Sequence, residues 1–144
     1  MEYQVINRHG ERLDNDWGHL TPITADALLS LHGGAALVLM LDGDTDLDAL
    51  RPHLKDVERI GITFGHFADG RGFSIARALR EDGFDGHLRA MGHIMPDQFR
   101  HAMAVGFDDL ALPVDLAARY GLAAWRDTAS HILPDYQSRL QAKS

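Results

Sequence analysis

The sequence predicts an α/β protein with a small parallel sheet in the order β-α-β-α-β-α-β, either an open doubly wound sheet or a partial barrel. Residues 36–41 and 60–64 are largely apolar runs without clean alternation, which is typical of strands covered on both faces of a parallel sheet. Segments of helical period separate the predicted strands, and this alternation favours right-handed crossovers. Sequence alone leaves the open sheet and the partial barrel as alternatives.

The first half of the chain contains a strand at 3–6, a turn-rich stretch and two short helices. Thr24 is expected to cap a helix at 25–31, which the glycines at 33–34 end. A crossover helix at 46–54 follows the first central strand. Its leucines recur on the side that faces the sheet, and its proline should shorten or distort the helix; these residues are Leu47, Leu50, Leu54 and Pro52.

The clearest helix spans 73–81, because Phe73, Ala76 and Leu79 recur at helical spacing. Arg77, Arg80 and Glu81 can face water on the other side of this helix. The remaining predicted elements are a strand at 86–91, a helix at 97–105 closed by Gly106, a strand at 108–112 and a mostly helical segment at 114–129.

Composition indicates one globular domain over residues 1–144, with 1–23 wrapping around it and 138–144 forming a polar tail. Hydrophobic residues make up 45% of the chain and charged residues 24%, as in folded proteins with a packed core. The longest apolar run, at 35–41, is far below the roughly 20 residues that span a bilayer. With no signal-peptide pattern at the N-terminus, we expect a cytoplasmic protein without a membrane partner.

Charge and cysteine content exclude several classes of function. The formal net charge of -7 disfavours binding to the phosphate backbone of nucleic acid. The chain has no cysteine, so it can form neither disulfides, thiolate nucleophiles nor cysteine-ligated iron–sulfur clusters. No cofactor is evident from any motif.

The most informative segment is the glycine-flanked turn from Asp69 to Ser74, between the second central strand and its helix. Its candidate ligand-binding residues are Gly70, Arg71, Gly72 and Ser74. Backbone N–H groups at the helix start could receive an anion, Arg71 could clamp it, and Ser74 could add a hydroxyl. The alternative is structural: Gly70 and Gly72 permit a tight turn, and Asp69 caps the helix. The segment lacks the third glycine of a dinucleotide fingerprint and the Gly-Lys-Ser/Thr ending of a P-loop.

No metal site is expected. The acidic run at 42–48 lacks the glycine and the final glutamate of a calcium-binding EF-hand loop, so it is interpreted as a turn with helix caps. His66 and His93 follow predicted strands and could meet near Asp69 and Arg71 at one sheet edge. Asp69 and His66 are therefore the candidate catalytic residues for proton transfer; scattered surface histidines are the alternative.

Arg89 lies within the third predicted strand and is a candidate ligand-binding residue. An unpaired guanidinium is costly to bury, so Arg89 should reach a carboxylate or project from the strand end. Asp69 is a possible partner. The pair at 97–98 after Pro96 is interpreted as a helix start.

Residues 67–77, together with shorter motifs, resemble the bacterial domain of unknown function 934 family. The shorter motifs are Leu88-Arg89-Ala90, Gly92, Asp97-Gln98 and Gly106-Phe107-Asp108. The likeness covers mainly 60–110, with Tyr136-Gln137 also similar, and the N-terminal third matches loosely. The chain departs from the family pattern at His93, where members commonly carry aspartate, and at Met95-Pro96, which leaves any role of His93 open.

Members of that family are often labelled oxidoreductases of sulfite reduction because they accompany the assimilatory sulfite reductase hemoprotein. The resemblance therefore implies an accessory protein of sulfur assimilation that binds the reductase, its electron donor or a small anionic ligand through the turn at 69–74. One alternative is a small enzyme that holds an oxyanion or phosphate group at Arg71, with Asp69 or His66 handling protons. The other is a structural interaction module with an exposed apolar patch.

Overall fold

The computed structural model describes residues 3–14, 16–17, 20–25, 27, 37–65 and 70–129. These described residues form a mixed α/β fold with one seven-stranded sheet, in the order β2-β1-β7-β6-β5-β4-β3. The strands are β1 Tyr3–Asn7, β2 Arg12–Leu13, β3 Thr21–Thr24, β4 Leu37–Leu41, β5 Arg59–Phe64, β6 His87–Gly92 and β7 Asp109–Pro113.

The sheet is larger than predicted and is only mostly parallel. Strands β3 to β7 are parallel neighbours in chain order, whereas β1 pairs antiparallel with both β7 and β2. The described strands therefore lack the reversal of order that marks a doubly wound sheet. β2 and β3 escaped prediction because β2 has two residues and β3 contains Pro22, which is tolerated at a sheet edge.

Three helical segments connect successive parallel strands, a fourth follows β7, and they largely match the expected segments. They are α1 Leu47–Leu50, which continues as a 3₁₀ turn at Arg51–Asp56, α2 Arg71–Glu81, α3 Phe99–Val105 after a 3₁₀ turn at Pro96–Gln98, and α4 Val114–Ala129. α4 consists of two helical pieces joined at a kink, where Gly121 has a φ of +69°. Pro52 lies in the first turn of the 3₁₀ segment, which confirms its shortening effect on α1. Thr24 Oγ1 accepts a hydrogen bond from Ala27 N at 3.2 Å, as expected of a cap, while 28–31 and 33–34 lie outside the described residues.

The hydrophobic core lies between one face of the sheet and the helices. Strand register aligns Leu39, Ile60 and Leu88 on this face, and all three have zero accessible surface. Residues of α2 and α3, among them Leu79 and Phe99, belong to the same buried cluster. Burial of each such side chain stabilises the fold by about 1.5–3 kcal/mol. We call the side of the sheet that packs against these helices the helix-covered face, and the reverse side the opposite face.

Arg80 ties the end of α2 to the starts of β6 and β7. Its Nε donates to the Gly106 carbonyl at 2.9 Å, and its Nη1 donates to the carbonyls of Phe84 and Gly86 at 2.8 and 2.9 Å. Its Nη2 donates to Asp108 Oδ2 at 3.0 Å. The expectation that Arg80 faces water is therefore wrong: its side chain is only 13% exposed, because loop carbonyls and a carboxylate satisfy its donors.

Replacement of Arg80 by methionine should destabilise the fold by about 3 kcal/mol, because it leaves carbonyls and the Asp108 carboxylate without their donor. Urea unfolding measures this effect. The matched control is Arg77→Met on the exposed side of the same helix, expected within about 0.5 kcal/mol of the unmodified chain. Equal losses in the two variants would show that Arg80 has no such tying role.

Candidate functional site

The glycine turn lies where the parallel strands β4 and β5 end. After β4, the loop at 42–46 passes beside the start of α2, and Arg71 Nη1 pairs with Asp44 Oδ1. Both side chains are largely exposed, so the pair is a surface contact that an incoming anion could compete for. His66 and Asp69, the candidate catalytic residues, lie outside the described residues.

The acidic loop is organised as the predicted turn. Asp42 Oδ1 accepts from Asp44 N at 2.9 Å, Thr45 Oγ1 accepts from Asp42 N at 3.0 Å, and Asp46 caps α1 through Ala49 N. Within the described residues, no group of three or more histidine, cysteine, aspartate or glutamate side chains could hold a metal ion.

Gly70 and Gly72 occupy different environments, although they look equivalent in sequence. A Cβ on Gly72 would lie 2.5 Å from the ring of buried Phe64, which also packs against Phe73 at 4.8 Å between centroids. Gly72 is therefore required for packing of the helix on β5. Gly70 is exposed at the N-cap position of α2, where, among the described residues, a Cβ would meet no atom within 4 Å and no side chain caps the helix.

Gly70 occupies the N-cap position of α2. Asp69, the helix cap considered in the structural interpretation of the turn, lies outside the described residues. Ser74 is exposed on the first turn of the helix, three residues after Arg71 and therefore on the same face of α2. The structure thus places Gly70, Arg71 and Ser74 at an accessible helix start and assigns Gly72 to the core.

His93 follows β6 directly, as predicted, and is exposed at the same edge. Gly92, with φ of +119°, turns the chain so that His93 N donates to the Phe64 carbonyl at 2.9 Å. The interpretation of 97–98 as a helix start is also confirmed, because Gln98 Oε1 accepts from Met95 N at 2.9 Å.

Arg89 occupies a second site, on the opposite face of the sheet. It lies three residues before the end of β6 (89 to 92), about 10 Å along the strand from the edge that carries the glycine turn. Its side chain is 1% exposed. The predicted carboxylate is present: Nε donates to Asp109 Oδ1 at 2.8 Å and Nη2 to Asp109 Oδ2 at 3.0 Å. Asp109 is its register partner on β7.

The N-terminal segment completes this site. Asp16 Oδ1 accepts from Arg89 Nη2 at 2.7 Å, and the Trp17 ring lies 4.1 Å from the guanidinium carbon. Trp17 also contacts the His87 ring edge-on at 4.8 Å, and His87 Nε2 lies 2.9 Å from Asp109 Oδ2. We call Arg89, Asp109, Asp16, Trp17 and His87 the arginine cluster.

The described partners of Arg89 differ from the one considered from sequence, since they are Asp109 and Asp16, whereas Asp69 lies outside the described residues. Sequence reasoning missed Asp109, Asp16, Trp17 and His87. An available signal was Asp109 itself, a carboxylate at the start of an otherwise apolar strand.

Charge pairing sets the ionisation of the arginine cluster. Burial acts to lower the pKa of Arg89, but the hydrogen bonds and charge of Asp109, and then of Asp16, raise that pKa above its ordinary value. Burial acts to raise the pKa of Asp16, but the hydrogen bond and charge of Arg89 lower it below its ordinary value. Arg89 and Asp16 are therefore both ionised at neutral pH.

The fold and its two polar sites define an α/β protein with an accessible helix start at the sheet edge and a buried, carboxylate-paired arginine on the opposite face. A family model described as "Bacterial protein of unknown function (DUF934)" matches residues 38–144. The match spans well over half of the chain, so the protein belongs to this family and the resemblance is confirmed. No curated protein and no solved structure matches the chain. In the described part, no helix has the length and apolar character needed to cross a membrane.

Gly72→Ala should lower the free energy of unfolding by about 1–3 kcal/mol, because the added methyl group must push the buried Phe64 ring aside. Gly70→Ala is the matched control at an open N-cap and should cost less than about 1 kcal/mol. Denaturant titration of both variants measures the difference. Similar losses would contradict the assignment of Gly72 to packing and Gly70 to open surface.

Asp16→Asn should destabilise the protein by at most about 1 kcal/mol at pH 7, because the Asp16 side chain is 63% exposed and its ion pair is screened by solvent. Since folding lowers the pKa of Asp16, its stabilisation is present above the unfolded pKa of about 3.9 and is lost as pH falls through the folded value. The stability curves of wild type and variant should therefore converge below about pH 4. A gap as large at pH 2.5 as at pH 7 would rule out this linkage.

Proposed function

We propose that the protein is an accessory protein of assimilatory sulfite reduction, which binds the sulfite reductase or its electron donor. The observation that carries the proposal is the family match over residues 38–144. Family members are often described as accompanying the assimilatory sulfite reductase hemoprotein. We therefore infer that this chain assists that enzyme and does not replace it.

The composition supports a partner-binding role over electron transfer by the chain itself. Without cysteine, the chain cannot carry electrons through thiols, disulfides or cysteine-ligated clusters. We therefore expect the redox centre of the reaction to come from the partner or from a cofactor that the partner shares. The protein's contribution is to bind, orient or regulate that partner.

The sheet edge at the start of α2 is the surface we propose for the partner. Asp44, Arg71 and Ser74 are exposed there, beside an open Gly70 that lets another molecule approach the helix backbone. Exposed charges of both signs favour a specific, salt-sensitive contact. Arg71 is the residue on which we expect such a contact to depend, because a guanidinium can exchange Asp44 for a carboxylate of the partner.

A strain lacking this gene should fail to grow on sulfate and on sulfite but grow normally on sulfide and on cysteine, because only the first two require sulfite reduction. Growth with each compound as sole sulfur source measures this. Normal growth on all four, or a chain that neither copurifies with a sulfite reductase nor changes sulfite-dependent turnover, would overturn the accessory role.

The same strain tests the proposed partner-binding surface independently of the accessory role. Complementation with Arg71→Ala should lower copurification of the reductase several-fold, whereas Arg77→Ala on the exposed side of the same helix should leave it unchanged. Equal copurification by the two variants would show that the partner binds elsewhere on the protein, and it would leave the accessory role itself intact.

A small oxyanion- or phosphate-binding enzyme is the second candidate, and the open helix start at Gly70, which no described side chain caps, favours it. It differs from the accessory role in requiring saturable anion binding that Arg71→Ala abolishes in a folded chain. The structural-module alternative has less support, because the exposed large apolar side chains among the described residues are Leu13 and Val114, on separate elements.

A further inference from the structure

The guanidinium of Arg89 has one donor group that the described protein does not use. Its Nε and Nη2 face Asp109, and Nη2 also donates to Asp16. Its Nη1 is buried, and among the described residues no atom accepts a hydrogen bond from it. A buried donor without an acceptor is unfavourable, and most native proteins pair such groups.

The Asp16 carboxylate occupies the place beside the Arg89 guanidinium that an external anion could take. Its side chain is 63% exposed, yet its Oδ1 reaches a guanidinium that is 1% exposed. Nη1 and Nη2 form the end-on pair of donors that matches the two oxygens of a carboxylate or similar oxyanion. Asp16 uses only Nη2 of this pair, so its contact is monodentate where a bidentate contact is available.

We propose that Arg89 is a binding site for a small oxyanion, of the sulfite or carboxylate type, which displaces Asp16 and accepts from both Nη1 and Nη2. Asp109 keeps the guanidinium in place through its other edge. Exchange of the Asp16 carboxylate for a singly charged anion, such as hydrogensulfite or a carboxylate, preserves the net charge around Arg89, so the exchange avoids the cost of burying an additional charge. The anion must be small, because the guanidinium that it reaches is only 1% exposed.

This site is separate from the glycine turn and does not rest on the accessory role. Asp16 and Trp17 are neighbours in the N-terminal segment, so displacement of the carboxylate moves the ring that lies against Arg89 and His87. Binding therefore has an optical readout, since Trp17 is one of only two tryptophans in the chain. The Trp17→Phe variant identifies the signal, because the fluorescence change should disappear while calorimetric binding persists.

The test is titration of the full chain with sodium sulfite and, separately, sodium formate, with sodium chloride at equal ionic strength as the reference. Calorimetry and tryptophan fluorescence should show saturable binding, and Asp16→Asn should bind about tenfold more tightly because the internal competitor is weakened. Asp14→Asn removes the same charge from an exposed neighbour and should change the affinity by less than about twofold. Saturation by only one of the two anions supports the site and identifies the class that it accepts.

The double variant Arg89→Met with Asp109→Leu removes both buried charges together and avoids an unpaired carboxylate. In its folded form it should lose binding, whereas Arg71→Ala should retain it. The proposal is overturned if Asp16→Asn saturates with neither anion, or if Asp14→Asn and Asp16→Asn have equal affinities. It is also overturned if the folded double variant still binds an anion, or if Arg71→Ala abolishes binding. None of these results depends on growth or copurification, so this site and the accessory role fail independently.

Discussion

A guanidinium buried within a sheet must be neutralised before the surrounding strands can pack, and this constraint organises the opposite face of the molecule. Asp109 meets Arg89 across β6 and β7, where strand register places them side by side. Asp16 and Trp17 then bring the N-terminal segment onto the same group. One buried charge thereby connects a central strand pair to a segment that precedes the parallel part of the sheet.

Sequence could predict the elements whose signal is local. Apolar runs located the central strands, helical spacing located α2, and Pro52 marked the change from α1 to a 3₁₀ turn. The antiparallel return of β1 onto β7 has no such signal, because it depends on pairing between opposite ends of the described chain. Arg80 was misassigned for the same reason, since two of its acceptors lie 26 and 28 positions away.

The site was predictable in its chemistry but not in its geometry. The cost of burying Arg89 implied a carboxylate, yet its two partners lie 20 positions after it and 73 positions before it. Sequence also presented Gly70 and Gly72 as a matched pair. Only packing separates them, because Gly72 contacts a buried ring and Gly70 faces open space.

The matched range begins at residue 38, so Arg89 and Asp109 belong to the part that defines the family, whereas Asp16 and Trp17 precede it. The register of β6 and β7 holds the charged pair, whereas its cover comes from a segment outside this pair of strands. A change in the covering segment can therefore alter access to Arg89 without altering that register. Different covers on one scaffold would give related proteins different access to the same buried cation, and so let them diverge in what they recognise.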